Sequence, residues 1–275
     1  MKNFKTLFGM AVVVGLMAAA CTNDVNEVLA PEAPAQQGYH FIGTIAPKTF
    51  DATTRTLLTE NADGTLSSTW QVGDIIGLGY NAKLGDETGG VNVEAKVTAV
   101  AADGSATIEA TLSNLPYDDG EPNGGVWYPY GSSEWDFISK QDGTLSAALD
   151  LRSGSAYVKV DDDNNITFAN PPSLDAAVSI FKFTMTDSAG NDVNVDKLVI
   201  SSKGYYPYDE PDLEITVDLK KASNVVYVAM YIEEGEHTFT FEATSGSATY
   251  KTEATANSLE TGKFYKTSLK LTKEP

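Results

Sequence analysis

The chain is poor in the residues that metal and redox chemistry need. Among 275 residues there is one cysteine, Cys21, and there are two histidines, His40 and His237. One thiol allows no intramolecular disulfide, and two histidines leave a Cys/His zinc site almost without candidates. Arginine is equally scarce, with only Arg55 and Arg152. Basic residues number 19 against 38 acids, for a formal charge of −19. A chain of that sign repels nucleic acid and anionic lipid headgroups. No metal, no cofactor and no nucleic-acid partner is expected. The apolar run Leu7–Met17 is too short to span a bilayer, which takes about 20 residues. Gly 23, Pro 11 and 21% charged residues are ordinary values, which excludes collagen-like and wholly disordered chains. The length is enough for about two domains.

What is present begins with an address. Lys2 and Lys5 form a positive start, Leu7–Met17 an apolar stretch, and Ala18-Ala19-Ala20 a small-residue cleavage site before Cys21. Residues 1–20 read as a signal peptide. Cys21 is similar to the lipidated cysteine of a bacterial lipoprotein, although the usual leucine three residues before it is missing. A diacylated cysteine is a membrane anchor, each buried CH₂ contributing ~0.8 kcal/mol. Residues 21–38, with Pro31, Pro34 and two glutamines, read as the lipidated cysteine and a flexible tether.

Beyond residue 38 the period is two. YHFIGTIA (39–46), DIIGLGY (74–80), VNVEAKVTAV (91–100), SATIEATL (105–112), VWYPY (126–130), AYVKV (156–160) and ITF (166–168) are β-prone, and Asp-Gly and Asn/Asp turns separate several of them. After Pro171-Pro172 seven more runs follow, from VSIFKFTM (178–185) to FYKTSLKLT (264–272). Seven strands in ~100 residues make one β-sandwich. The chain is therefore expected to be all-β, with one sandwich over 39–171 and a second over 172–275. Phe181, Phe183, Phe239 and Phe241 alternate with polar residues and are expected in the core.

Chemical motifs are weak. Gly77-Leu78-Gly79-Tyr80-Asn81-Ala82 fits G-x-G-x-x-A, but Gly85, Gly89 and Gly90 forbid the helix that dinucleotide binding needs. Asp161–Asn165 offers oxygens without the spacing of a calcium loop and reads as a hairpin turn. No acid pair stands out as a glycosidase dyad, and His237 lies within a strand pattern, so no enzyme is expected. The aromatic clusters Trp127, Tyr128, Tyr130 and Trp135, then Tyr205, Tyr206 and Tyr208, are either edge packing or platforms for a glycan.

Taken in order, the lipobox-like cysteine, the tether, Thr54-Arg55-Thr56, Trp70-Gln71-Val72-Gly73-Asp74-Ile75-Ile76, Trp127-Tyr128-Pro129-Tyr130 and Leu259-Glu260-Thr261-Gly262-Lys263-Phe264-Tyr265 resemble the fimbrillin family. Those are pilus subunits and pilin-like lipoproteins of Bacteroidales-type bacteria. In the stretch Trp70–Ile76, Trp70 can bury its ring, Gly73 allows a tight bend, and Asp74 can bond to nearby backbone N–H groups. Phe168-Ala169-Asn170 stands where the family often has F-x-H.

The resemblance implies two tandem transthyretin-like β-sandwiches, no enzymatic activity, and a lipid-anchored place on the outer membrane and in the fimbrium. It implies cleavage after an arginine that follows the first strand, here between Arg55 and Thr56, and filling of the vacated groove by a strand of another pilin subunit. The terminal run, with Phe264, Tyr265, Leu269 and Leu271, is the candidate donor. The partners would be other pilin subunits, in a homo- or hetero-polymer, and a host or bacterial surface receptor. The alternative is a glycan-binding surface lipoprotein that uses Trp127, Tyr128 and Trp135.

Overall fold

The computed structural model describes residues 38–48, 58–117, 120–131, 138–146, 149–161, 165–205, 212–233 and 235–275. The strands run β1 (Tyr39–Ile45), β2 (Thr59–Glu60), β3 (Leu66–Ser67), β4 (Ile75–Leu84), β5 (Glu87–Val100), β6 (Ala106–Leu112), β7 (Gly124–Tyr128), β8 (Lys140–Gln141), β9 (Arg152–Ala156), β10 (Val158–Val160), β11 (Ile166–Phe168) and β12 (Asp175–Ala176). They continue as β13 (Ser179–Thr186), β14 (Val195–Ser202), β15 (Leu213–Ser223), β16 (Val225–Met230), β17 (His237–Ser245), β18 (Ala248–Ala256), β19 (Phe264–Lys270) and β20 (Thr272–Lys273). The fold is all-β.

Nine strands form one sheet in the order β10-β11-β1-β6-β5-β4-β7-β9-β12. β9 and β10 are separated only by Tyr157, yet they stand far apart in that order. The chain therefore changes layers at this residue, and the run read as AYVKV is two strands rather than one. Asn123 stitches the crossing: its Oδ1 accepts from the Val158 N–H at 2.9 Å, and its Nδ2 donates to the Val158 carbonyl at 2.9 Å. Phe41, Ile76, Val126, Val158 and Ile166 share one buried cluster, so strands from both sides of the order enclose a single core.

The second core lies between a three-stranded sheet, β16-β13-β19, and a six-stranded sheet, β20-β18-β17-β14-β15-β8. Phe181, Phe183, Phe239 and Phe241 are buried in it, as their alternation predicts. Phe183 on β13 meets Phe241 on β17 edge-on at 5.2 Å, across the two sheets. Two segments from before residue 171 also belong to this core. Leu58 precedes β2 and Leu66 lies in β3, and Ile138, Leu149 and Leu151 surround β8. Gln141 fixes β8 by accepting from the Ala229 N–H and donating to the Ala229 carbonyl, both at 2.8 Å. The expected division at Pro171-Pro172 is thus crossed twice by chain from the first half.

Three turns use one device, Asp-Gly-Ser/Thr. Asp63, Asp103 and Asp142 each accept from the backbone N–H and the hydroxyl two residues on. Between them Gly64, Gly104 and Gly143 take φ of 82°, 87° and 71°, which a Cβ would oppose.

Candidate functional site

β1 is an inner strand. It pairs antiparallel with β6 over seven residues, from Tyr39↔Leu112 to Ile45↔Ala106, and lies parallel to β11 through Phe41↔Ile166. Phe41 and Ile45 point into the core and are fully buried. Burying such side chains contributes roughly 1.5–3 kcal/mol each. Phe41 meets Phe168 edge-on at 4.9 Å. Between them Gly43 leaves room for the Phe168 ring, which would lie 2.6 Å from a Cβ. Removing β1 would leave β6 and β11 facing each other across the width of one strand, each with unpaired backbone groups.

The chain leaving β1 is clamped. The Ala46 N–H donates to the Pro172 carbonyl at 2.9 Å, and the Ala46 carbonyl accepts from Trp70 Nε1 at 2.8 Å. Two residues later Lys48 turns inward, its side chain only 2% exposed. Its Nζ lies 3.7 Å from the centroid of Tyr128 and 4.2 Å from that of Trp70. Those two rings stand perpendicular, at 89° and 5.5 Å. The same nitrogen is 3.1 Å from Asp150 Oδ2 and 3.7 Å from Asp74 Oδ2. Asp150 also accepts from Ser68 Oγ at 2.5 Å and from Arg152 Nε at 2.7 Å. Two cations and two carboxylates balance, which is what makes buried charge tolerable.

The local sequence explains the walls. Gly73 takes φ of 100° and donates to the Val97 carbonyl at 2.9 Å. That bend lets Asp74 Oδ2 accept from the Gln71 N–H at 2.9 Å and also face Lys48. Burial pushes the Asp150 carboxyl up, but the adjacent Arg152 and Lys48 charges outweigh it and hold it below the usual range. Burial lowers the Lys48 ammonium, against the pull of Asp150 and Asp74. Burial and the two carboxylates raise the Tyr128 phenol, which stays protonated.

A second ionic cluster begins just past residue 57. Glu60 Oε2 accepts from Lys182 Nζ and from Tyr227 Oη, both at 2.6 Å, and Oε1 lies 3.1 Å from Lys266 Nζ. Those partners sit on β13, β16 and β19, so Glu60 ties the β2–β3 hairpin to every strand of the three-stranded sheet.

The expected site residues are placed as follows. Cys21, Arg55, Thr56 and Trp135 lie outside the described residues. Arg152, the other arginine, is 1% exposed within β9 and pairs with Asp150. Tyr128 is buried against Lys48, so it cannot serve as a surface platform for a glycan; its alternation in β7 turns it inward. Trp127 lies across β4, where a Cβ on Gly77 would come within 1.9 Å of its ring. The glycines of the G-x-G pattern therefore make room for an indole, in a strand that runs on to Leu84. Phe264 and Tyr265 are half-buried and Leu269 and Leu271 buried, with β19 paired in parallel to β13 over seven residues. No cluster of three His, Cys, Asp or Glu suited to a metal occurs among the described residues. No described helix is long and apolar enough to cross a membrane. Lys48, Asp150 and Glu60 were not singled out by the sequence, because no local pattern marks them as buried or paired.

The chain matches no family model and no curated protein. Among solved structures it is similar to a candidate cell adhesion protein of Bacteroides ovatus, at 14% identity, over 88% of this chain and 97% of that one, with a TM-score of 0.42. A candidate cell adhesion protein of Bacteroides uniformis gives 12% identity over 88% and 98%, with a TM-score of 0.42. A fimbrial protein of Bacteroides ovatus gives 13% identity over 86% and 49%, with a TM-score of 0.34.

Proposed function

We propose that this chain is a structural or adhesive pilus subunit, carried to the outer membrane as a lipoprotein anchored at Cys21, cut between Arg55 and Thr56, and assembled by exchange of its first strand. The observation that carries this reading is the position of β1. A strand that precedes the arginine in sequence fills the middle of a sheet, and its loss would open a groove bounded by β6 and β11. A groove of that kind is a template for an extended segment of another chain. The other arginine is locked into β9 by Asp150, so Arg55 is by elimination the candidate for processing. The incoming strand would come from another subunit. Within this chain β19 and β20 are the candidate donor, at the cost of withdrawing Leu269 and Leu271 from the second core.

Brief trypsin treatment followed by N-terminal sequencing and size exclusion tests the reading. A new N-terminus at Thr56, with oligomers that an Arg55→Ala control does not form, supports it. A chain cut at Arg55 that stays monomeric and exchanges no strand counts against it.

A further inference from the structure

We propose that Trp70, Asp74, Tyr128 and Asp150 form a receptor for a primary ammonium group, filled by Lys48 in the single chain and, once β1 has left, by a lysine of the strand that replaces it. The second half rests on the strand-exchange reading; the first half stands without it.

The geometry is that of a cation site. Two perpendicular ring faces lie 3.7 and 4.2 Å from Nζ, and two carboxylates lie 3.1 and 3.7 Å away. A desolvated cation held by aromatic faces and acids is bound far more strongly than one on a surface. The walls belong to residues 70–150, beyond Arg55, whereas Lys48 lies before it. A cut after Arg55 therefore breaks the covalent link between the cation and its site, so that the cation is free to leave with β1. Loss of the segment would leave Asp150 with Arg152 as its one cation, beside the Ser68 hydroxyl, and Asp74 without its cation. A buried carboxylate short of a partner is costly, so the vacated site favours an incoming strand that restores the charge.

The register makes this specific. Phe41, Gly43 and Ile45 face the core, and Lys48 follows three residues after the last of them. A replacing strand that runs the same way needs apolar, small and apolar residues at alternate positions, then a lysine three residues on. The terminal run of this chain does not meet that rule. With Leu271 in the place of Ile45, Glu274 falls at the site; with Leu269 there, Thr272 does. In that direction and register the terminal run leaves the receptor without a lysine, whereas residues 39–48 of a second copy, or a strand of like pattern, would fill it.

The first arm of the test uses the full chain with Lys48→Ala. Its melting temperature is followed against n-butylammonium chloride, with sodium chloride at equal ionic strength as control. A saturable rise in Lys48→Ala that is absent in the wild type and in Lys48→Ala/Asp150→Asn supports the receptor. No rise, or an equal rise in the wild type, overturns it. Should Lys48→Ala not fold, Lys48→Met carries the test in a cycle with Asp74→Asn. Losses in melting temperature that are less than additive support the receptor, and additive losses overturn it. The second arm adds a fluorescent YHFIGTIAPK peptide to protein cut at Arg55 and measures its uptake, beside the same peptide with norleucine for its lysine. Preference for the lysine peptide by about tenfold or more is expected. Equal uptake of the two overturns the proposal. Uptake of neither, with butylammonium rescue intact, overturns strand exchange and its half of the proposal, while the receptor in the single chain stands.

Discussion

Replacing Glu60 by glutamine isolates the ionic tie between the β2–β3 hairpin and the second core. The carboxylate receives three contacts, two at 2.6 Å and one at 3.1 Å, from Lys182, Tyr227 and Lys266. Burial acts to raise its pKa, but hydrogen bonds from Lys182, Tyr227 and Lys266 outweigh this and bring it from 4.5 down to about 2. At ~1.4 kcal/mol per unit that drop corresponds to roughly 3 kcal/mol as an upper bound. Lys182 and Lys266 keep 24% and 43% of their side chains exposed, so solvent screening reduces the figure to about 2 kcal/mol. A folded pKa below the unfolded one gives stability that is full above about pH 4.5 and is lost as pH falls toward 2. Glu60→Gln keeps the shape and loses the charge. Urea denaturation at pH 7 should place the variant's midpoint about 1 M lower, for a slope of ~2 kcal/mol/M. Between pH 4.5 and 2 the wild type should fall toward the variant until the gap closes. Amide exchange in 58–67 should quicken in the variant at pH 7, because Leu58 and Leu66 then hold the hairpin alone. A gap that does not change from pH 7 to pH 2.5, or no gap at pH 7, would refute the reasoning.

Gly77→Val should destabilise by about 3 kcal/mol, since its Cβ meets the Trp127 ring at 1.9 Å; a melting curve measures this, and Trp127→Ala in the same chain should recover part of the loss. An arginine-specific protease under native conditions should cut at Arg55 and leave Arg152 intact; a fragment starting at Ser153 before global unfolding would contradict the burial of Arg152. Cys21→Ala should remove membrane partitioning in a fractionation experiment, and a variant that still partitions places the anchor elsewhere.

Long alternating runs were legible because one buried face writes a period of two into the sequence. β1, β11, β13 and β17 fall close to where YHFIGTIA, ITF, VSIFKFTM and HTFTFEAT predict them. The turns at Asp63-Gly64 and Asp103-Gly104 were legible because Asp-Gly marks a positive φ; the one at Asp142-Gly143 was not read. The shortest strands were not. β2, β3, β8 and β12 have two residues each, too few to carry a period, and their membership in a sheet is decided by residues far along the chain. Neither was the layer change at Tyr157, since alternation continues through it. Part of the site was legible: Trp70, Gly73 and Asp74 have the local roles that their spacing suggests. The rest of it depends on long-range placement. Nothing in Ala46-Pro47-Lys48 distinguishes a buried lysine from a solvated one, and Asp150-Leu151-Arg152 looks like an ordinary strand edge. Only when β1, β7 and the segment before β9 converge do these charges neutralise one another.

That convergence bears on how β1 could leave. Phe41 and Ile45 together contribute roughly 3–6 kcal/mol by burial, before the seven-residue pairing with β6 is added. Lys48 adds an ion pair whose loss would leave Asp150 to Arg152 and Ser68, and Asp74 without a cation. A break in the chain at Arg55 removes none of these contacts, because all of them lie before the cut or across it in space. Cleavage therefore changes the connectivity of β1 without changing its environment, and a strand held this firmly does not leave for water. On the strand-exchange proposal it would leave as another segment takes over its partners one by one, so that β6, β11 and the two carboxylates are never all short of partners together. The end of β1 nearest the cut is the end that carries Lys48. Exchange beginning there would first have to replace the cation, which would set the choice of partner at the first step, before the apolar positions are tested.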